Sequence, residues 1–232
     1  MSSRGTPAEV PAPARSKGER LREAERDPRL ERRRFVLSRV PELRERIFHL
    51  QKVFSDLQKE HPELVGLSLY GSHTKGYADF LSDIDGVVFV DFDEAQKRGT
   101  DKLELRRLVQ ETVRKELGLT SEHVSIDAVS ISLQNNSVTT LRTPRLFHLA
   151  IGDKLRPYRD AAIRSYEEKG EEGEREWARL VFELVLHENH TFSDEFVEKR
   201  LHLYPWSLKK ARAYYAPERG SDYTESSVED SA

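Results

Sequence analysis

Two aspartates at the start of an apolar stretch are the residues of this chain best suited to chemistry. Asp83 and Asp85 flank Ile84, and an apolar run follows at residues 87–90. Alternate side chains of a strand point to opposite faces, so the two carboxylates would share one face. Like charges placed this way repel, raise each other's pKa and cost stability unless a cation lies between them. Oxygen ligands favour magnesium or manganese over zinc, so the pair predicts a divalent metal site.

A turn of small residues precedes the aspartates. The apolar segment 64–70 is typical of a strand and runs straight into Gly71 and Ser72. Glycine lets a phosphate approach the backbone closely, and N–H groups at a helix start bind anions together with a serine hydroxyl. Taken alone, Gly71 and Ser72 are also compatible with an ordinary turn, and an aspartate preceded by Ser82 is compatible with a loop cap.

The two parts together resemble a known family. The Gly-Ser turn, ten intervening residues and an Asp-Ile-Asp that opens an apolar strand resemble the signature of the DNA polymerase β-like nucleotidyltransferase superfamily, as found in small stand-alone domain proteins. Lys75 and Gly76 stand where small members often have a basic residue and a glycine. The superfamily also has a third carboxylate on a neighbouring strand, and Asp127 is the best match. The resemblance covers roughly residues 60–160.

The resemblance implies an activity and a role for each residue. A nucleoside monophosphate would pass from an NTP to an acceptor hydroxyl, with release of pyrophosphate, in a two-metal mechanism. Asp83 and Asp85 would hold two Mg²⁺ (or Mn²⁺) ions, and Asp127 would complete the second site and take the hydroxyl proton. Gly71 and Ser72 would hold the β- and γ-phosphates. The acceptor stays open between a small molecule, a protein and an RNA end.

Several of these residues also have plainer interpretations. Asp127 could face solvent from a half-buried strand, and Asp91 and Asp93 compete for its role, although they are expected to end the strand or start the next loop. Lys75 would neutralise triphosphate charge, but a surface lysine after a turn is the commoner case. His187 and His190 are three residues apart on a predicted helix, which is more often a structural arrangement than a metal pair.

Composition favours a compact globular protein. The 232 residues include no cysteine, so a disulfide framework and a thiolate metal site are excluded. Apolar runs are too short for a membrane span, and we expect a cytoplasmic protein with no membrane partner. The formal net charge of −3 gives no overall attraction to nucleic acid. We predict a disordered charged tail at 1–30, a nucleotidyltransferase core at 31–155, a helical region at 156–215 and a disordered tail at 216–232.

The apolar spacing predicts an α/β (α+β) fold, with a mixed nucleotidyltransferase-type sheet flanked by helices and a C-terminal helical segment. Pro41 is expected at a helix start or kink, and Pro205 at a break between helices. The predicted strands span 64–70, 84–92 and 124–133. The predicted helices span 35–57, 103–117, 144–151, a segment from 156, 174–190 and 193–215.

Two other classes of function stay open. The first is a catalytically inactive protein of the same fold that binds nucleotide or RNA, and the second is an interaction module in an assembly. Residues 199–215 interleave basic and aromatic side chains, which could stack on a nucleic acid. The plainer interpretation, with aromatics in the core and cations in water, is favoured. Three aspartates in one repulsive cluster favour the enzyme.

Overall fold

A four-stranded mixed sheet forms the centre of the molecule. The computed structural model describes residues 16–26, 41–79, 82–120, 123–134, 143–147, 149–152 and 154–215. The strands are β1 (Leu64–Tyr70), β2 (Ile84–Asp91), β3 (Val124–Ile131) and β4 (Leu149–Ile151), in the spatial order β3-β2-β1-β4. β1 is antiparallel to β2 and to β4, whereas β2 and β3 are parallel. The predicted mixed sheet flanked by helices is therefore confirmed.

Helices cover both faces of this sheet. They are α1 (Lys17–Glu25), α2 (Pro41–Glu60), α3 (Ser72–Lys75), α4 (Phe92–Arg98), α5 (Lys102–Glu116), α6 (Leu155–Glu167), α7 (Glu171–Asn189), α8 (Asp194–Leu201) and α9 (Leu208–Tyr215). The predicted helix start at Pro41 and the predicted break near Pro205 are both confirmed. The predicted C-terminal helical segment is present as α6 to α9.

One predicted helix is wrong. Residues 144–151 form a short 3-10 helix, Thr143–Phe147, followed by the edge strand β4. Ala150 of β4 pairs with Ser68 of β1, so the open edge of β1 supplies hydrogen-bonding groups that a local helix does not offer. Leu146 and Phe147 are both buried in the core. A short apolar run fits a helix and a strand equally well, and the tertiary pairing decides between them.

Strand β2 is one residue shorter than predicted because Asp91 caps a helix that was not predicted. Its carboxylate accepts a hydrogen bond from the Glu94 backbone N–H at 2.9 Å. Asp93 lies in the first turn of α4, where its carboxylate accepts from the Ser132 hydroxyl at 2.5 Å. Asp91 therefore ends the strand as expected, while Asp93 lies in a helix and not in a loop. Gly99 ends the helix in the left-handed conformation.

The core is divided by the sheet. On one face, α2 and α5 cover the side chains of Ile84, Val88 and Val90. On the other face, α6 to α9 and the 3-10 helix pack over Val87 and Phe89. The alternating residues of β2 thus serve two different layers, as the period of two in a strand requires. Asp85 belongs to the second face.

The N-terminal helix α1 packs on the core. Its capping box joins the Ser16 side chain to the Glu19 backbone, and Ala24 is buried among Tyr77, Phe192 and Phe196. The range 1–30, for which a disordered tail was predicted, therefore contains a packed helix at 17–25. Residues 1–15, 27–30 and the predicted tail 216–232 lie outside the described residues.

The basic and aromatic segment at 199–215 is largely built into the core. Tyr204 and Tyr215 are buried, and Trp177 donates a hydrogen bond from its indole nitrogen to the Pro205 carbonyl at 2.8 Å. These aromatics are not available to stack on a nucleic acid. In the described part of the chain, no helix has both the length and the apolar character needed to cross a membrane.

Helices α6 and α7 approach so closely at Gly173 that an added methyl group would overlap the Tyr166 carbonyl and lie 2.7 Å from its carbon. We expect Gly173→Ala to lower the free energy of unfolding by about 1–3 kcal/mol, as overpacked sites do. Gly18→Ala is the matched control, because a methyl group there meets nothing within 4 Å. It should leave stability unchanged or raise it by up to ~1 kcal/mol. Urea unfolding followed by circular dichroism measures both, and equal effects would contradict the packing described here.

Candidate functional site

Three side chains lie on one face of the sheet near the end of β1. Tyr70 pairs across β1 and β2 with Asp85, and Asp127 of β3 pairs with Val87 of β2. Because Asp85 and Val87 share a face, Asp127 lies on that face too, two residues further along β2. The pKa of Tyr70 is raised, chiefly by burial, and the charges of Asp85 and Asp127 both contribute. The structure therefore places the predicted carboxylates Asp85 and Asp127 around one tyrosine.

The turn after β1 is shaped to receive the Asp85 carboxylate. Gly71 has φ +78°, which only glycine adopts readily, and begins the four-residue helix α3. A Cβ atom at this position would lie 2.6 Å from Asp85 Oδ2. The Gly71 carbonyl accepts hydrogen bonds from the Thr74 hydroxyl at 3.0 Å and the Lys75 N–H at 3.3 Å, which fixes the turn. The positive φ favours glycine at residue 71, and any larger residue there would also displace the Asp85 carboxylate.

Asp83 and Asp85 repel each other. Asp83 is exposed just before β2, whereas Asp85 is half-buried. The pKa of Asp85 is raised, first by burial and then by the charge of Asp83, while Lys75 acts in the opposite direction. Among the described residues, no hydrogen bond or ion pair engages the side chain of Asp83, Asp85 or Asp127. Asp85 therefore has an electrostatic cost, and none of the three carboxylates has a hydrogen-bond or ion-pair partner among the described residues.

The three carboxylates do not form one compact cluster. Within the described ranges, no three acidic, histidine or cysteine side chains lie close enough to bind a single ion together. The charge of Asp83 acts on Asp85, and Asp85 shares a sheet face with Asp127. The three carboxylates therefore form two pairs that have Asp85 in common. Magnesium commonly uses one or two carboxylates and completes its shell with water and substrate phosphates. Donors that are all oxygen atoms fit Mg²⁺ or Mn²⁺ better than a soft metal.

Lys75 and its neighbours are buried, so the alternative interpretation of Lys75 as a surface lysine is wrong. Lys75 is 3% exposed and His73 is 2% exposed, while Ser72 is half-buried. Burial lowers the pKa of Lys75 to about 8, although Glu188 and Asp85 favour its charged form. Burial also lowers the pKa of His73 to about 4, so its imidazole is neutral at pH 7. The turn therefore has a buried ammonium immediately behind it.

Arg145 and His187 lie beside Tyr70, on the side of the site that the sequence did not predict. The Arg145 guanidinium lies over the Tyr70 ring, 4.8 Å from its centroid, and Arg145 Nη1 is 3.5 Å from the tyrosine oxygen. The His187 ring is centred 5.9 Å from that of Tyr70. The pKa of His187 is lowered, first by burial and then by the charge of Arg145. Arg145 lies in the segment wrongly predicted to be helical, so its place beside Tyr70 could not be inferred.

His187 in α7 and His190 just after it make different contacts. The side chain of His190 lies with Nδ1 3.3 Å from Lys75 Nζ, and His187 faces Tyr70. They do not act as a metal pair with a third ligand in the described part of the chain. The plainer expectation for these residues, a structural role, fits His190.

Comparisons with known proteins give no family for this chain. No protein-family model and no curated protein matches it. The assignment of function therefore depends on the residues and their geometry.

The unfavourable charge of Asp85 predicts a pH-dependent stability. The folded state raises its pKa above the ordinary value of 3.8, so this carboxyl is neutral in acid and its ionisation destabilises the fold as pH rises through the raised pKa. Asp85→Asn should therefore raise the melting temperature at pH 7 without divalent cations, with a difference that shrinks toward pH 3.8. Circular dichroism melts across this pH range measure it.

Asp56→Asn is the matched control, because Asp56 is exposed and its pKa is lowered by a hydrogen bond from Lys59. It should leave stability unchanged or lower it slightly. An Asp85→Asn variant that melts below the wild type at pH 7 would contradict the unfavourable charge assigned to Asp85.

Proposed function

We propose that this protein is a nucleotidyltransferase, with a nucleotidyltransferase-type sheet, that transfers a nucleoside monophosphate from an NTP to an acceptor hydroxyl and releases pyrophosphate. The observation that carries the proposal is the placement of Asp85. Its carboxylate lies against the Gly71 turn, beside Asp83 in the chain and on the same sheet face as Asp127. The arrangement supports the proposal because a turn of this kind can bind an anion and carboxylate oxygens can bind a divalent metal.

Electrostatics supports a functional role for the carboxylates. An aspartate that stabilises a fold normally caps a helix or forms an ion pair, as Asp91 does at α4. Asp83 and Asp85 do neither within the described residues, and Asp83 raises the pKa of its neighbour. Unfavourable charge kept at one place in a fold is characteristic of sites that bind cations or do chemistry.

The proposed roles follow from these positions. Asp83 and Asp85 would hold Mg²⁺ (or Mn²⁺), which when bound supplies positive charge that offsets the phosphates. Gly71 and Ser72 would hold the β- and γ-phosphates, with Lys75 behind them as a further positive charge. Asp127 would complete the metal site and accept the proton of the acceptor hydroxyl.

The chemistry balances without any other reactant. The acceptor oxygen forms a bond to the α-phosphorus, and the bond from that phosphorus to the oxygen bridging the α- and β-phosphates breaks. Pyrophosphate leaves with the electron pair, and the hydroxyl proton moves to Asp127 or to water. Positioning and charge neutralisation would supply most of the rate.

The proposal is tested by incubating the protein with each α-³²P-labelled NTP and MgCl₂. Transfer of the label is then measured to panels of small-molecule, protein and RNA acceptors. We expect transfer and stoichiometric pyrophosphate with at least one acceptor class. Asp83→Asn, Asp85→Asn and Asp127→Asn should each lower the rate at least ~100-fold, because each removes charge stabilisation from the reacting phosphate.

Asp56→Asn serves as the control for loss of a carboxylate and should be unaffected. NTP binding without transfer to any acceptor would favour the alternative, an inactive nucleotidyltransferase-fold protein that binds nucleotide or RNA. No NTP binding at all would leave an interaction module as the remaining class.

A second experiment separates the contact at Gly71 from its backbone conformation. Gly71 and Gly99 both have positive φ, but only a methyl group at Gly71 meets Asp85, since nothing lies within 4 Å of the same atom at Gly99. Both alanine variants should lose about 1–2 kcal/mol of stability from strain. Gly71→Ala alone should weaken magnesium-dependent NTP binding at least ~10-fold, or ~1.4 kcal/mol, as measured by calorimetry. Equal binding by the two variants would count against the role of this contact.

A further inference from the structure

Three charged side chains from three separate elements are buried together behind the Gly71 turn. Lys75 of α3 is 3% exposed, Glu188 of α7 is 2% exposed and Arg200 of α8 is 1% exposed. Glu188 Oε1 lies 3.6 Å from Arg200 Nη2. Charged residues are almost never fully buried unless they are paired, so this group requires an explanation.

Burial disfavours the charged form of both Lys75 and Arg200 by lowering the pKa of each, and the charge of Glu188 opposes this effect for both residues. Of the charges that act on Lys75, Glu188 makes the largest favourable contribution. A smaller favourable contribution comes from Asp85 on β2, and Lys17 of α1 acts against it. Without Glu188, a buried ammonium would have little to offset its desolvation.

The position of Lys75 links this group to the proposed phosphate site. Lys75 is the last residue of α3, the short helix that begins at Ser72, and Gly76 ends that helix in the left-handed conformation. Helix α3 packs against α7. At the end of α7, the imidazole of His190 also contacts the Lys75 ammonium, at 3.3 Å. The C-terminal helices thus reach the turn from behind.

We propose that Glu188 is a positioning residue, which supplies the buried countercharge that keeps the Lys75 ammonium at the Gly71 turn, where it binds the phosphates of the nucleotide. The Arg200 guanidinium forms an ion pair with the Glu188 carboxylate. This inference rests on the proposed function and assigns the C-terminal helices to the nucleotide site. The ligand class it concerns is the polyphosphate chain, independent of base and acceptor.

Substitution of Glu188 tests the inference. The probes are magnesium tripolyphosphate, which has the phosphates without a nucleoside, and MgATP, with dissociation constants measured by calorimetry at about pH 7.5. Glu188→Gln should weaken binding of both probes at least ~10-fold, because a buried lysine without its countercharge loses its proton. Glu188→Asp keeps the charge and should bind within ~3-fold of the wild type.

Rescue by arginine distinguishes charge support from a purely structural role. A guanidinium stays protonated without a countercharge, so the double variant Glu188→Gln/Lys75→Arg should recover binding to within ~3-fold of Lys75→Arg alone. Loss of packing between α7 and α8 would not be repaired by a change on α3. Unchanged binding by Glu188→Gln, or no recovery in the double variant, would overturn the inference.

Titration of the Lys75 side chain without nucleotide tests the role of Glu188 independently of the proposed function. In protein labelled with ¹³C-lysine, the Lys75 side-chain signal is identified by its absence from Lys75→Arg. Its titration midpoint should fall by at least ~1 pH unit in Glu188→Gln, and an unchanged midpoint would overturn the role proposed for Glu188. A wild-type protein that binds neither probe would instead overturn the proposed phosphate site, whatever the lysine signal shows.

Discussion

The contact between the Asp85 carboxylate and the backbone of Gly71 is the constraint on which the site depends. The end of β1 and the start of β2 are hydrogen-bonded neighbours, so the turn that leaves β1 has to pass beside the first side chains of β2. A side chain at residue 71 would be strained by the positive φ, and its Cβ atom would lie 2.6 Å from Asp85 Oδ2, so the carboxylate would have to shift. The same glycine therefore shapes the turn and places a carboxylate next to it. A phosphate held by the turn would meet a cation held by Asp85.

Charge is distributed around this contact in a defined order. Asp83 and Asp85 repel each other in front of the turn, and Lys75, Glu188 and Arg200 are buried behind it. An anionic ligand with a bound divalent cation would relieve both sides, because the metal offsets the carboxylates and the phosphates offset the lysine. The fold thus retains unfavourable charge that a metal–polyphosphate complex can neutralise.

Local patterns in the sequence predicted the strands that hold Asp85 and Asp127, whereas Asp83 lies just before β2. The alternation of β2 predicted that Asp83 and Asp85 share a face, and the spacing of apolar residues predicted the strand that holds Asp127. These features depend on a period of two within one strand, which is visible without tertiary information. The activity that the superfamily resemblance implies is still a prediction.

The positions of Arg145 and Lys75 in the site depend on contacts between segments that are distant in the chain. Arg145 reaches Tyr70 because residues 149–151 pair with β1 as an edge strand, and a short apolar run does not specify that pairing. The burial of Lys75 depends on α7 and the residue that follows it, more than a hundred residues away along the chain. Neither the exposure of a lysine nor its partner can be inferred from spacing, since both are set by packing.

A crystal structure with MnCl₂ and an α,β-methylene NTP analogue, whose α–β linkage cannot be cleaved, tests the proposed site most directly. Anomalous scattering locates manganese independently of the protein. We expect manganese bound by the Asp83 and Asp85 carboxylates, with the β- and γ-phosphates at Gly71 and Ser72 and the α-phosphate facing Asp127. Manganese and nucleotide bound elsewhere, with these carboxylates unligated, would contradict the site.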